Sequence, residues 1–157
     1  MATVIRGDDN WDTSLKAGSQ AFAARCTSSS WATYSAGAIP AFNDDSTGDS
    51  FDDGNNYSTS TYKYTAPTTG VYMFWFSIYT AQNNVENGWS FLKNAGKLDL
   101  QHGTAKFITY MLNNADDKIM TATVVIPLSA NDTMACCAGT TADFYKGYSQ
   151  WGGCRLS

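Results

Sequence analysis

Charge is scarce in this chain. Asp, Glu, Lys and Arg together make up only 15% of its 157 residues, and the formal net charge is −4. Ten scattered Lys and Arg cannot supply the clustered positive surface that displaces counterions from phosphates, so nucleic acid is excluded as an expected partner. Histidine is reduced to His102, and the cysteines Cys26, Cys136, Cys137 and Cys154 contain no Cys-x-x-Cys pair. Neither pattern supports a zinc centre. There is also no long apolar run: no stretch is long enough to span a bilayer as a helix, and membrane insertion is not expected. The opening "MATVIRGDDNWDT" lacks the apolar centre and small-residue cleavage pattern of a signal peptide.

Catalytic signatures are missing too. His102 stands in the turn-like "LQHGTAK", and no G-x-S-x-G elbow accompanies it, so a Ser-His-Asp site has no support. The acidic segment "DDSTGDSFDDGNN" fails as a calcium loop, because counting from Asp49 puts Phe51 at the third position and Ser60 at the twelfth, where oxygen ligands are needed. No cofactor and no metal are expected, and the chain reads as a non-enzyme. Sequons at Asn56 and Asn131 are expected to go unused in a chain this rich in Asn, Ser and Thr.

What the chain does have is hydrophobic and aromatic content, 43% and 14%, enough for the core of one ordinary domain. Convincing helical periodicity is absent, whereas strand-like runs recur between turn signals. They are residues 20–26, 38–42, 61–65, 70–80, 89–94, 97–101, 105–112, 118–128, 132–138 and 146–156. "KNAGK" between two of them reads as a short hairpin loop. About ten short strands with tight connections describe a jelly-roll β-sandwich. Residues 1–18 are polar and stand apart, as either a loose terminus or an attachment arm; residues 19–157 form the domain.

The run from Val71 poses a question. Tyr72, Phe74, Phe76 and Ile78 point to one face of a strand, and Val71, Met73, Trp75 and Tyr79 to the other. Both sets are apolar or aromatic, so something must cover the second face.

The surrounding residues resemble the globular head shared by the C1q and tumour necrosis factor superfamily. That pattern sets an acidic residue or Asn, then two spaced aromatics, before Gly-x-Tyr-x-Phe-x-aromatic; Asp52, Tyr57, Tyr64, Gly70, Tyr72, Phe74 and Phe76 fall at those positions. "AFAARCT", "IPAF", "FLKN", "LSANDTM" and the closing "QWGGCRL" resemble further segments of the family. The chain departs from it in having Ser46 for a Phe, Arg155 for a Leu, and no collagen-like stalk.

The resemblance implies an all-β, ten-stranded jelly roll that trimerises through one of its two sheets. Tyr72, Phe74, Trp75, Phe76 and Trp151 are then expected in the core or the trimer interface. First and last strands would be neighbours, which places Cys26 near Cys154 as a candidate pair. The aromatics of "SSSWATYSAG" and "GTTADFYKGYSQW" (Trp31, Tyr34, Phe144, Tyr145 and Tyr148) are candidates for stacking on sugar rings; sealing the end of the sandwich is the other role open to them.

The expected partners are other copies of the chain, other virion proteins through the arm, and a host glycan or surface protein. The composition and polar arm suit a phage or virus structural protein assembled in host cytoplasm and displayed on the virion surface; otherwise an extracellular location is expected. Two roles follow: a fibre-tip or knob protein that binds host receptors or glycans, or a capsid decoration (cement) protein.

Overall fold

In the computed structural model, residues 20–45, 50–80, 87–94, 96–97, 109–111 and 118–157 are described. The arm, His102 and most of the expected 97–112 runs lie outside them. Strands β1 (Ala21–Arg25), β3 (Phe51–Asp52), β6 (Gly70–Thr80), β10 (Lys118–Leu128) and β13 (Gln150–Arg155) make one sheet, in the order β10-β6-β13-β1-β3. Its strands pair antiparallel throughout. A second sheet has the order β4-β5-β11-β7-β8, from Tyr57–Ser58 (β4), Lys63–Thr65 (β5), Thr133–Ala138 (β11), Asn87–Lys93 (β7) and Gly96–Lys97 (β8). Thr109–Met111 (β9) also pairs with β7. A small third sheet joins β2 (Trp31–Tyr34) to β12 (Ala142–Tyr145). A single turn of 3-10 helix, Lys146–Tyr148, leads from β12 into β13.

Most of the excess over ten strands consists of pairings only two or three residues long. Two expectations differ in kind. Residues 38–42 are not a regular strand, although Ala38 and Ala138 still share a backbone bond. Conversely, Trp31–Tyr34, read as loop, forms β2 because β12 supplies its backbone partners. A strand without flanking alternation is invisible until its partner is known.

Between the two large sheets lies an aromatic core. Strict alternation in β6 sends Tyr72, Phe74, Phe76 and Ile78 inward, where each is buried. Phe22 is the hub: its ring stacks on Tyr57 at 4.9 Å and Tyr64 at 5.0 Å, and meets Trp151 edge-on at 4.7 Å. Burying one such side chain stabilises the fold by about 1.5–3 kcal/mol, with about 0.5–1.5 more from each well-oriented ring pair. The Tyr57 hydroxyl donates to the Phe42 carbonyl at 2.6 Å and accepts from Trp151 Nε1 at 3.4 Å, so these polar atoms enter the core satisfied.

Adjacent Gly152 and Gly153 in β13 let large rings lie against the strand on both faces. A Cβ at Gly152 would come within 2.9 Å of the Trp75 indole on the outer face; one at Gly153 would collide with the Phe74 ring and sit 2.7 Å from the Met73 carbonyl.

Candidate functional site

Two surfaces carry functional promise, and both grow out of β6. The first is the outward face of its sheet. Val71, Met73, Trp75 and Tyr79 are half-buried there. Register sets Met73 between Cys154 and Val125, Trp75 between Gly152 and Thr123, and Tyr79 opposite Ile119. Val125 and Ile119 stay 58% and 59% exposed. Within one chain, then, the second face of this strand is incompletely covered. Of the five residues expected in the core or an interface, Tyr72, Phe74, Phe76 and Trp151 are core, and Trp75 alone faces outward.

The second surface lies at the Tyr79 end. Tyr79, at the last outward position of β6, touches Trp31 (5.7 Å), Tyr145 (5.9 Å) and Tyr148 (5.5 Å). Trp31 and Tyr148 each touch Tyr145 as well, at 5.1 and 5.0 Å. The local chain makes this possible. β2 pairs Trp31 with Tyr145, and the 3-10 turn swings Tyr148 back toward Tyr79. Ser149 pins the turn, its Oγ accepting from the Tyr79 N–H and donating to the Tyr145 carbonyl. Gly147 allows the tight approach, since a Cβ there would lie 2.9 Å from both Ser29 Oγ and the Tyr145 ring. Trp31 and Tyr148 remain 47% and 69% exposed.

The structure thus brings together Trp31, Tyr145 and Tyr148 from the aromatics singled out in the sequence. It separates the other two. Phe144 is fully buried against Phe42, Trp89 and Tyr34, and offers no face to a ligand: the alternation of β12 turns it inward. Tyr34 packs edge-on against Phe144, and burial raises its hydroxyl pKa. Tyr79 was missed as a member of the exposed cluster. Its signal was its place in the outward set of β6, two positions beyond Ser77.

The cysteine expectation needs correction. First and last strands are neighbours, but register pairs Cys154 with Ala21 and Arg25 with Gln150. Cys26 lies one residue beyond Arg25, so it is separated from Cys154 along the sheet by about 17 Å at strand rise, well past the roughly 7 Å limit for a disulfide. Both thiols are free. Burial pushes Cys26 up to about 12, partly opposed by the Lys146 charge.

At one turn, Asp132 receives the Ser129 N–H, the Asn94 amide and Lys93 Nζ, the last at 2.9 Å. These partners hold its carboxyl down at about 2. Asn94 in the β7–β8 hairpin and Asn131 in the turn from β10 to β11 have φ in the left-handed region, 54° and 70°, as tight turns require. In the acidic segment burial raises Asp52, against N–H bonds from Tyr57 and Asn56.

No protein-family model matches the sequence, and no curated protein matches it. Solved structures do match. The Eiger TNF of S. frugiperda superposes with a TM-score of 0.61 at 12% identity, over 89% of this chain and 94% of its own. The globular domain of zebrafish complement 1qA gives 0.58 at 14% identity, over 88% and 98%. Murine APRIL at pH 5.0 gives 0.58 at 9% identity, over 88% and 99%. At such identities the shared property is the fold: an all-β jelly roll of the C1q/TNF kind.

Proposed function

We propose that the chain is a homotrimeric, non-enzymatic recognition domain of a virion, a fibre-tip or knob protein that presents the Trp31–Tyr148 end to a host receptor or glycan. The arm 1–18 attaches it to other virion proteins. The observation that carries the trimer is the outward face of β6. Val71, Met73, Trp75 and Tyr79, with Ile119 and Val125 beside them, put apolar side chains on one face interspersed with Ser77, Thr121 and Thr123, and exposed apolar surface bordered by polar residues marks an interaction site. Covering even part of it in each protomer contributes on the order of several kcal/mol to association. Three copies then turn weak contacts into avidity. Support for the virion setting comes from the surface, built of Ser, Thr and Asn with few charges.

Light scattering tests the assembly. The expected mass is three times 17.0 kDa, lost in a folded Trp75→Asp variant. Phe74 is unsuitable for this purpose because its ring is core. A monomeric wild type would sink the reading. Gold labelling of the particles that carry the protein tests its place: label at fibre ends is expected, and label spread over the shell would assign it to capsid decoration instead.

A further inference from the structure

The outward face of the small β2–β12 sheet continues the aromatic cluster and adds a carboxylate to it. Ala142 and Phe144 are buried, so Asp143 and Tyr145 take the outward positions of β12. Register sets Asp143 opposite Thr33 and Tyr145 opposite Trp31. Both pairs meet: Thr33 Oγ1 donates to Asp143 Oδ1 at 2.6 Å, and the Trp31 and Tyr145 rings lie 5.1 Å apart. The Thr80 hydroxyl donates to the Asp143 carbonyl, which ties this strand to the end of β6. Thr33 engages only one carboxylate oxygen. Asp143 Oδ2 makes no hydrogen bond or ion pair among the described residues. Hydrogen bonds to an ionised carboxylate are about twice as strong as neutral ones.

The carboxylate thus stands about 7 Å along the sheet from an exposed indole, two residues at strand rise. That combination suits a molecule with an apolar face and a rim of hydroxyl groups. The C–H bonds of a sugar ring present a positive surface that matches the negative face of an aromatic ring, and its neighbouring hydroxyls can donate to one carboxylate. Away from Asp143, Tyr148 is 69% exposed and borders an open cavity of about 230 Å3, lined also by Arg25, Gly147, Ser149 and Gln150. Arg25 is bridged to Asp44 and has its partners within the protein, so it is not a free charge there. We propose that this end binds an uncharged saccharide. One ring stacks on Trp31 with neighbouring hydroxyls donating to Asp143, and the next extends toward Tyr148. The carboxylate repels acidic sugars, which sets the class. It also weighs against a protein partner, because the centres of protein interfaces are depleted of charged residues. This rests on the recognition reading above and names its ligand class and location.

The test uses lactose, cellobiose, mannobiose and 3′-sialyllactose with the full chain, by saturation-transfer NMR and titration. At least one of the neutral disaccharides is expected to bind, and 3′-sialyllactose no more tightly than lactose. Asp143→Asn keeps the size of the side chain and an acceptor for Thr33. It should weaken the neutral ligand about tenfold, the difference between a charge-assisted and a neutral hydrogen bond. Trp31→Ala should weaken it about tenfold through lost stacking. No binding of any neutral probe, tighter binding of 3′-sialyllactose than of lactose, or undiminished affinity in Asp143→Asn would overturn the site. Light scattering on the same samples separates the two ideas. A trimer that ignores every neutral sugar removes this site and leaves the trimer standing, whereas a monomer that binds one does the reverse.

Discussion

Adding one methyl group at Gly153 is a direct test of how tightly the Phe74 ring is packed against β13. An alanine Cβ there would overlap the Phe74 ring and sit 2.7 Å from the Met73 carbonyl oxygen. The carbonyl belongs to β6, which is hydrogen-bonded to β13 along its length and cannot retreat alone. The ring is held by Tyr64 at 5.5 Å, Tyr72 at 6.2 Å and Trp151 at 6.3 Å. Overpacking of this kind costs about 1–3 kcal/mol, and the backbone contact puts Gly153→Ala at the upper end, about 3 kcal/mol. With a urea slope of about 2 kcal/mol per molar, the unfolding midpoint should fall by about 1.5 M. Gly88→Ala is the control, because the three atoms nearest its Cβ all belong to Thr140, at an ordinary 3.6 Å. Its effect should stay within about 0.5 kcal/mol. Both are measured at one protomer concentration, since association would shift the midpoint by mass action. A Gly153→Ala midpoint within about 0.3 M of wild type would refute the packing argument.

Tyr57→Phe should cost about 1–3 kcal/mol in the same assay, because it strands the Phe42 carbonyl and the Trp151 indole N–H in the core; a neutral result would mean that neither depends on the hydroxyl. Asp132 ionises at about 2 when folded, below its unfolded value. Its contribution to stability is therefore present above the ordinary carboxylate range and is lost as pH falls through about 2. An NMR titration of its carboxyl carbon should find the low midpoint, and one near 4 would mean the Asn94–Lys93–Ser129 partners do not hold it. Native alkylation at pH 8 should modify Cys26 slowly, since burial leaves little thiolate. Peptide mapping should recover no Cys26–Cys154 bond; finding one would show that the register of β1 on β13 is wrong.

Much of the fold was legible from local pattern. The strands 70–80 and 118–128 have the bounds expected of them, because a run rich in β-branched and aromatic residues between turn residues is written within the segment itself. The hairpin at "KNAGK" forms as read, with Lys93 paired to Gly96 and Asn94 in the left-handed region. β2 was hidden, since Trp31–Tyr34 becomes a strand only through β12.

For the candidate site, residue type pointed to the right aromatics but not to their faces. Trp31, Tyr145 and Tyr148 share the surface cluster while Phe144 falls into the core, one residue from Tyr145. Tyr79, Arg25 and Gln150 join that end only because β6, β1 and β13 are neighbours in the sheet. The sequence by itself determined the strand periods, the turn positions and the two apolar faces of β6, all properties of bonded neighbours. Tertiary structure decided which face is core, which strands pair, and in what register. Each of those depends on residues far apart in the chain, and a shift of one position reverses every side chain on a strand.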